Sequence, residues 1–465
     1  MPCPEDETGV ATMPAIEMAE RCAARRRSVR LALGGLATLL LLTLCFQRYG
    51  LSTLDVELAA IRSWIVGDGL YAYRESGTQA GAALSPALAL LIAPLAVVPL
   101  PVAGWLLALA GLGALLVSLM VLTGPIARRF GRARAPMVLA LAAAALLTGP
   151  VRATIGLGRV DLLLFALIMA DLVALRRAAW ARSRWRAGRP VRGIWWPGHA
   201  WSNGPPDSFA GRARRIWRTG SWAGAGIGLA TALAPGPVLL IVYLLVSRQR
   251  RAAFTALATA VVVTLCAAVS APGETMTWYG STLWELDRTV PISDPGNQSL
   301  AGALARLYGF TAPPVLVWAS FGVLLLAVGL VRARSAHGDG DETAAFALVG
   351  LAGAAAGPVT APGEAIWLLP AVLILADEVL RRRWGGRLPR SRFTGAGFAV
   401  LGVIGCALLV ADPFGAVTWN GYALLLILLV NALPWRHDSR PALPSAPARR
   451  LAAIPVPRGA PRPTC

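Results

Sequence analysis

Apolar runs bounded by charged residues, proline or glycine recur along most of this chain. The first run covers residues 31–46 and follows a basic segment. The later runs cover 102–123, 137–150, 160–175, 222–234, 237–247, 252–271, 313–331, 344–357, 364–379, 394–411 and 418–434. Runs of this length and apolarity are typical of helices embedded in a membrane. The pattern therefore predicts an all-α, polytopic membrane protein with about twelve transmembrane elements.

The polar stretch 47–83 predicts a helix that lies on the membrane surface. Within it Leu54, Leu58, Ile61 and Ile65 fall on one helical face, which is the pattern of an amphipathic interfacial helix. Residues 84–99 are apolar but short and interrupted by prolines. We therefore expect a second interfacial or re-entrant helix there.

A Pro-Gly-Pro sequence separates the apolar runs 222–234 and 237–247. One continuous span would place Arg248, Arg250 and Arg251 on the outer side, against the positive-inside rule. Two short helices, or a pair of half-helices, keep these arginines on the inner side. The sequence therefore predicts a broken helix pair.

The composition and the excess of positive charge are explained better by the orientation of a membrane protein than by binding to a charged partner. The chain of 465 residues is 56% hydrophobic and 15% charged, whereas soluble domains are about 45–50% apolar and about 25% charged. The net charge of +20 comes from 44 basic residues, all of them arginine, and most lie in the loops predicted to be cytoplasmic. This distribution follows the positive-inside rule. We expect a multi-pass cell-membrane protein with both termini in the cytoplasm.

The pattern of apolar runs and charges predicts a cytoplasmic tail (1–30), a transmembrane domain (31–435) and a disordered cytoplasmic tail (436–465). The domain contains an Arg- and Trp-rich cytoplasmic insert at 176–221. Arginine interleaved with tryptophan can bind nucleic acid, but an anionic membrane surface fits a membrane protein better. We therefore expect membrane lipids and no nucleic acid as partners.

Metal and cofactor chemistry have little support in the sequence. The six cysteines show no C-x-x-C spacing, and the three histidines lie far apart, so neither a disulfide framework nor a zinc site is indicated. We expect no metal and no cofactor.

Charged residues at the predicted outer ends of the helices are the candidates for chemistry. Asp55 follows the first span, close to Glu57. Its carboxylate can act as a general base for an acceptor hydroxyl, or it can cap the helix that begins there. Arg159 can contact a phosphate, or it can form an ion pair with Asp161. Position alone leaves both pairs of interpretations open.

Several segments, taken in order, resemble glycosyltransferase family 87. They are DVELAAIRSWIVGDGLYAY, LSPALALLIAPLAVVPLP, GPVRATIGLGRVDLLLFALIMAD, GIGLATALAPGPVLLIVYLLVSRQRRAA, GNQSLAGALARL and GPVTAPGEAIWLLPAVL. The resemblance covers roughly residues 30–435, apart from the insert. It implies the multi-span GT-C architecture, with interfacial helices in the first outer loop. It also implies transfer of mannose or a related sugar from a polyprenyl phosphate donor to a lipid or polysaccharide acceptor on the outer face.

The resemblance also implies roles for single residues. Asp55 matches the family's first-loop aspartate, the catalytic base, and Tyr71 matches a tyrosine that closes the same loop. Arg152 lies in the P-V-R stretch, and Asn297 and Gln298 lie in the G-N-Q-S segment. The predicted substrate-binding residues are Glu57, Tyr71, Arg152, Arg159, Asp161, Asn297, Gln298 and Glu364.

The chain departs from the family pattern at four places. Residues 84–86 read Leu-Ser-Pro where the family commonly has Tyr-Pro-Pro, and 158–161 read Gly-Arg-Val-Asp where it has G-Q-x-N. Ala234 stands where a lysine is usual, and the loop before Glu364 has no histidine. A different donor or acceptor, or a catalytically degenerate member, therefore remains an alternative. A secondary transporter or lipid flippase is the other.

Overall fold

Every regular element that the structure describes is a helix, which confirms the predicted all-α class. The computed structural model describes residues 13–75, 81–129, 134–186, 216–217, 219–360, 363–384, 392–410 and 420–436. Its α-helices are α1 (Met13–Tyr49), α2 (Ser52–Val66), α3 (Pro86–Ile92), α4 (Leu100–Arg129), α5 (Arg134–Leu146), α6 (Gly149–Leu157), α7 (Asp161–Arg186), α8 (Ala225–Leu233), α9 (Val238–Val246), α10 (Arg250–Ser270), α11 (Pro272–Gly280), α12 (Leu300–Tyr308), α13 (Val315–Gly338), α14 (Glu342–Ala356), α15 (Leu368–Trp384), α16 (Arg392–Val410) and α17 (Gly421–Ala432). Short 3₁₀ helices cover Ala93–Val97, Thr282–Trp284 and Glu364–Trp367.

Four described helices are long and apolar enough to cross a membrane, and a bent pair makes a fifth. The four segments are Ala32–Tyr49, Leu100–Gly124, Arg250–Ser270 and Val315–Gly338. Four shorter apolar helices in the described ranges have 10–17 residues, whereas a bilayer core of about 30 Å needs about 20 residues. The chain is therefore a helical membrane protein, and the predicted count of twelve spans is not confirmed.

The bent pair consists of α5 and α6, whose axes differ by 73°. Pro150 is the second residue of α6. Proline has no backbone N–H, so it cannot continue the hydrogen bonds of α5. It is compatible with the first turn of a helix but not with a helix interior. The predicted run 137–150 therefore ends one helix and starts another that runs in a different direction.

The corner between α1 and α2 packs on the end of α6. Leu51 has left-handed backbone angles, with φ at 55°, and its N–H donates to the Gly156 carbonyl at 3.0 Å. Its side chain fills the space beside Gly104, where an added Cβ would come within 2.5 Å of Leu51 Cδ1. This corner places the first turn of α2 next to the turn that joins α6 to α7.

Three of the four positions on the predicted apolar face of α2 are buried within the protein, and the placement of this helix on the membrane surface stays a prediction. Leu54, Leu58 and Ile61 are fully buried, whereas Ile65 is 62% exposed. Ile65 is the second-last residue of the helix, because Gly67 ends α2 with φ at 106°. The buried positions hold α2 against the body of the protein.

The predicted broken pair is present as α8 and α9, separated by residues 234–237. Gly224 and Gly228 lie four residues apart and face α10. An added Cβ would lie 2.1 Å from the Ala252 carbonyl oxygen at Gly224, and 2.2 Å from that of Ala256 at Gly228. Such small-residue contacts let two helices pack backbone against backbone.

The predicted segment boundaries differ from the helix boundaries. Helix α1 begins at Met13, within the predicted tail 1–30, and α7 continues to Arg186, into the predicted insert 176–221. Most of the remaining insert, and the tail after Arg436, lie outside the described residues.

Candidate active site

An ion pair between Arg159 and Asp161 lies at the turn from α6 to α7. Arg159 Nε donates to Asp161 Oδ2 at 2.7 Å, and both side chains are partly buried. Asp161 is the first residue of α7, where a negative charge interacts favourably with the helix dipole. The expectation that these two residues pair with each other is confirmed.

Two further carboxyl groups, Glu57 and Glu364, interact with this ion pair. Burial raises the pKa of Glu364 to about 8, the Asp161 carboxylate raises it further, and Arg159 opposes the shift. Burial also raises the pKa of Glu57 to about 7, against the charge of Arg159 and together with that of Asp161. The guanidinium of Arg159 thus interacts with three carboxyl groups, and some of these carboxyl groups are protonated near neutral pH.

Glycines allow the backbone segments of this cluster to approach. An added Cβ on Gly158 would lie 2.6 Å from Leu54 Cβ, and Gly158 has φ at 75°. An added Cβ on Gly363 would lie 1.9 Å from Asp161 Oδ2. These contacts join three parts of the chain: α2, the α6–α7 turn and the 3₁₀ helix that begins at Glu364.

Asp55 lies in the first turn of α2 and is exposed. The N-cap position is Leu51, and the Asp55 N–H donates to the Leu51 carbonyl at 2.9 Å. The interpretation of Asp55 as the helix cap is therefore wrong. Residues two apart on a helix point about 200° apart, so Asp55 and Glu57 lie on different sides of α2. Within the described residues the Asp55 carboxylate has no hydrogen bond or ion pair.

Arg152 lies near the start of α6, apart from the ion-pair cluster. Its Nη2 donates to the Val410 carbonyl at 3.0 Å. Its Nε is buried and has no hydrogen-bond partner among the described residues. The first turn of α6 contains no acidic residue, so the positive end of the helix dipole adds to the charge of the arginine. Among the described residues, no carboxylate forms an ion pair with Arg152.

Asn297 and Gln298 are buried and bound to the protein itself. Asn297 is 1% exposed and Gln298 5%. The Asn297 amide donates to the Pro358 carbonyl at 3.0 Å and accepts from the Thr360 N–H at 3.0 Å. The Gln298 side chain accepts from the Tyr422 N–H at 3.3 Å. Both amides are therefore bound within the protein, where they hold loops together.

Tyr71 belongs to a third cluster, centred on Arg288. The Tyr71 hydroxyl donates to the Leu84 carbonyl at 2.8 Å. Arg288 is 5% exposed and donates to the carbonyls of Tyr71 at 2.6 Å and Ala82 at 2.8 Å. Arg288 therefore fastens the loop after α2 through the backbone carbonyls of that loop.

The structure thus brings together four of the nine predicted site residues: Glu57, Arg159, Asp161 and Glu364. Asp55 is on the same helix as Glu57 but on another side, and the other four lie in separate contacts. Among the described residues, no three His, Cys, Asp or Glu side chains are placed to hold one metal ion.

Some residues that shape these loops have partners distant in the chain and were not predicted from the sequence. Arg306 Nε donates to Asn420 Oδ1 at 3.1 Å, across more than a hundred residues of sequence, and Gly363 lies close to Asp161. No local pattern marks either residue, because each acts through loops that meet only in the fold. The left-handed turn at Gly158 had a local signal in the sequence, because glycine is the residue most common just after the end of a helix.

Comparison with known protein families gives one match. The profile described as Glycosyltransferase family 87 matches residues 85–195 and 207–362. These ranges contain Arg152, Arg159, Asp161, Asn297 and Gln298. They begin after Asp55, Glu57 and Tyr71 and end two residues before Glu364. No solved structure matches the chain.

Among curated proteins, the chain is similar to mycobacterial enzymes. It is 34% identical over 160 residues to a polyprenol-phosphate-mannose-dependent alpha-(1-2)-phosphatidylinositol mannoside mannosyltransferase of Mycobacterium tuberculosis, covering 34% of this chain and 38% of that protein. It is 33% identical over 165 residues to the protein of the same name from Mycolicibacterium smegmatis, covering 34% and 37%. It is 28% identical over 192 residues to a pentamannoside mannosyltransferase of this type from Mycobacterium tuberculosis, covering 41% and 42%. The matched region spans less than half the length of these curated relatives.

Proposed function

This chain belongs to glycosyltransferase family 87, and on that premise we propose that it is a membrane mannosyltransferase that uses a polyprenyl phosphate-linked sugar. The observation that carries the proposal is the family match over residues 85–195 and 207–362. The relatives' names support mannose as the sugar and polyprenol phosphate as its carrier. The acceptor in this proposal is a lipid or glycan at the outer face of the cell membrane, with both termini of the chain in the cytoplasm.

In this proposal Asp55 is the general base. Transfer to an acceptor hydroxyl requires a group that removes its proton. The Asp55 carboxylate is exposed at the start of α2, where a substrate anchored in the membrane can reach it. The absence of an ion-pair partner among the described residues leaves this carboxylate available to accept a proton.

Arg152 and the Arg159–Asp161 cluster supply the other contacts. A phosphate leaving group is stabilised by cations, and Arg152 has a buried Nε without a partner in the described part of the chain. We assign it to the phosphate. Glu57, Arg159, Asp161 and Glu364 combine acceptors and a donor, as binding of several sugar hydroxyls requires. We assign them to the sugar.

The predicted substrate contacts of Tyr71, Asn297 and Gln298 stay predictions. Their polar groups already have protein partners, which supports loop positioning as their role. In the proposed reaction they shape the outer loops, and they contribute no group to the chemistry.

The test compares the two carboxylates of α2 in one assay. The protein is purified in lipid nanodiscs with radiolabelled polyprenyl phosphate mannose and a mycobacterial-type phosphatidylinositol mannoside acceptor. Asp55→Asn should reduce transfer by about 10²-fold or more, because it removes the base. Glu57→Gln should reduce transfer less, since it removes one of several polar contacts.

Asp68→Asn is the matched control, because Asp68 is an exposed acid just beyond the end of α2. It should transfer mannose at the wild-type rate. A folded Asp55→Asn variant with wild-type turnover would exclude Asp55 as the base. Absence of transfer by the wild type from any polyprenyl phosphate sugar would argue against the proposed function itself.

A further inference from the structure

Asn297 lies where two outer loops meet, and its side-chain amide binds both. Its Nδ2 donates to the Ile292 carbonyl at 2.9 Å and to the Pro358 carbonyl at 3.0 Å. Its Oδ1 accepts from the N–H groups of Ser299 at 3.1 Å and Thr360 at 3.0 Å. Both donors and both acceptor positions of the amide are therefore used. Two of the four bonds reach a segment more than sixty residues further along the chain.

That segment, residues 358–360, follows the end of α14 and precedes the 3₁₀ helix that begins at Glu364. The Ser299 hydroxyl donates to the Pro358 carbonyl at 3.0 Å, and the Thr360 hydroxyl donates to the Ala354 carbonyl. Only three residues separate Thr360 from Glu364. The hydrogen bonds at Asn297 therefore limit how far Glu364 can lie from this segment, because only three residues connect the two.

The space between Gly363, which directly precedes Glu364, and Asp161 is very small. Gly363 lies so close to Asp161 that an added Cβ would be 1.9 Å from Asp161 Oδ2. A loop with so little space cannot move toward Asp161, and a movement away removes Glu364 from the Arg159–Asp161 pair. The position of the loop thus controls the surroundings of the Glu364 carboxyl group.

We propose that Asn297 is a positioning residue that acts through residues 358–360 to hold Glu364 against the Arg159–Asp161 pair. A substrate contact by the Asn297 amide would require it to give up one of four buried hydrogen bonds. Leaving a buried polar group unpaired is costly, so the amide acts through the loop. Any effect of Asn297 on mannose transfer rests on the proposed function. Its effect on the position of the loop does not.

The charged groups around Glu364 make its position measurable. Asp161 and Arg159 face it from the α6–α7 turn, and Glu57 of α2 interacts with the same arginine. In this position the pKa of Glu364 is about 8, against an ordinary value of 4.5. A loop that moves into solvent would lose the burial that raises this pKa.

The experiment measures the protonation of Glu364 directly, without any enzymatic step. Infrared spectra of the protein in nanodiscs are recorded across a pH titration, and the spectrum of Glu364→Gln is subtracted to isolate the carbonyl band of the protonated Glu364. In the wild type this band should disappear with a midpoint near pH 8. In Asn297→Ala the midpoint should move by roughly one pH unit or more toward the ordinary value.

Two neighbouring variants make the result specific. Ser299→Ala removes one hydrogen bond to Pro358 and should move the midpoint in the same direction by a smaller amount. Gln298→Ala is the matched control, because Gln298 is a buried neighbouring amide that binds Pro295 and Tyr422 and not residues 358–360. Its midpoint should stay at the wild-type value.

An unmoved midpoint in folded Asn297→Ala would overturn the inference. An equal shift in Gln298→Ala would overturn it too, since general loosening of the loops would then explain the effect. If Asn297→Ala does not fold, Ser299→Ala decides between the same outcomes. Mannose transfer is assayed on the same samples: a wild type that transfers no sugar but shows the expected midpoints refutes the proposed function and leaves the inference standing.

Discussion

At the scale of single residues, Glu364 links the protonation of the candidate site to the stability of the fold. The carboxyl group has an ordinary pKa of 4.5 and a pKa of about 8 in the folded protein. An acid with a raised pKa binds its proton more tightly in the folded chain than in the unfolded chain. Its contribution to stability is therefore present below the unfolded value and is lost as the pH rises toward 8.

We therefore predict that Glu364→Gln makes the protein less sensitive to pH. Relative to the wild type, the variant should gain thermal stability between pH 5 and pH 8, because glutamine cannot ionise. The shift should be a few degrees in a chain of this size. Thermal unfolding in nanodiscs at the two pH values measures it.

Glu285→Gln is the control with the opposite sign. A hydrogen bond from Arg288 lowers the pKa of Glu285, so this group stabilises the fold above its unfolded pKa and stops doing so as the pH falls. The variant should lose stability relative to the wild type at pH 8 and lose less at acidic pH. Parallel pH dependence of Glu364→Gln and the wild type would contradict the prediction.

The residues that sequence analysis placed correctly and those it missed differ in the distance to their partners. The pair of Arg159 and Asp161 is predictable because both lie within one turn. The burial of Asn297 is not, since its partners Pro358 and Thr360 come from a loop that only the fold brings near. The same holds for the two backbone carbonyls that Arg288 binds, which lie more than 200 residues earlier.

At the scale of elements, helix ends determine the geometry of the candidate site. The left-handed Gly158 ends α6 and directs the chain to Arg159 and into α7. On the other side of the contact, the corner at Leu51 starts α2 beside Gly156. Apolar periodicity predicted the helices, but the corners depend on the contacts between them. The sequence therefore predicted the residues of the cluster but not how they are arranged in space.

Gly158→Ala should therefore impair both folding and transfer. A non-glycine residue in left-handed geometry costs roughly 1–2 kcal/mol, and here the new Cβ would also lie 2.6 Å from Leu54 Cβ. Unfolding and transfer assays on the same preparation measure the two effects. We expect lower stability, and transfer reduced by about tenfold, because Leu54 adjoins Asp55.

Gly309→Ala separates the two contributions. Gly309 also has left-handed geometry, with φ at 68°, but no neighbour lies within 4 Å of an added Cβ. This variant should show only the backbone cost and full transfer activity. Equal losses in the two variants would show that the contact with Leu54 has no effect of its own.

At the scale of the whole molecule, the expected orientation places the candidate site at the outer face. The positive-inside rule assigns the arginine-rich loops to the cytoplasm, and the ends of α2 and α11 then lie outside. The four long spans were predictable from run length, whereas the bend between α5 and α6 was not. The number of full crossings was not, because short apolar helices look like spans in sequence but do not reach across the bilayer by length.

Cysteine labelling tests the orientation. In a cysteine-free background, Ser281→Cys after α11 should react with a membrane-impermeant maleimide on intact cells. Ser335→Cys near the end of α13 should react only after permeabilisation. Both serines are exposed, so access depends on the side of the membrane. The reverse pattern would place the candidate site in the cytoplasm and contradict the proposed acceptor.

The glycine contacts of α8 have a consequence for biogenesis. Helix α8 has nine residues, about 14 Å of length, which is too short to enter a bilayer alone as a stable span. It lies against α10, which follows it in the chain and is long enough to span. During synthesis α8 therefore leaves the ribosome before the helix that shelters it. We expect α8 to stay beside the translocon until α10 has been synthesised, so that α8 enters the membrane and packs against α10 in a single step.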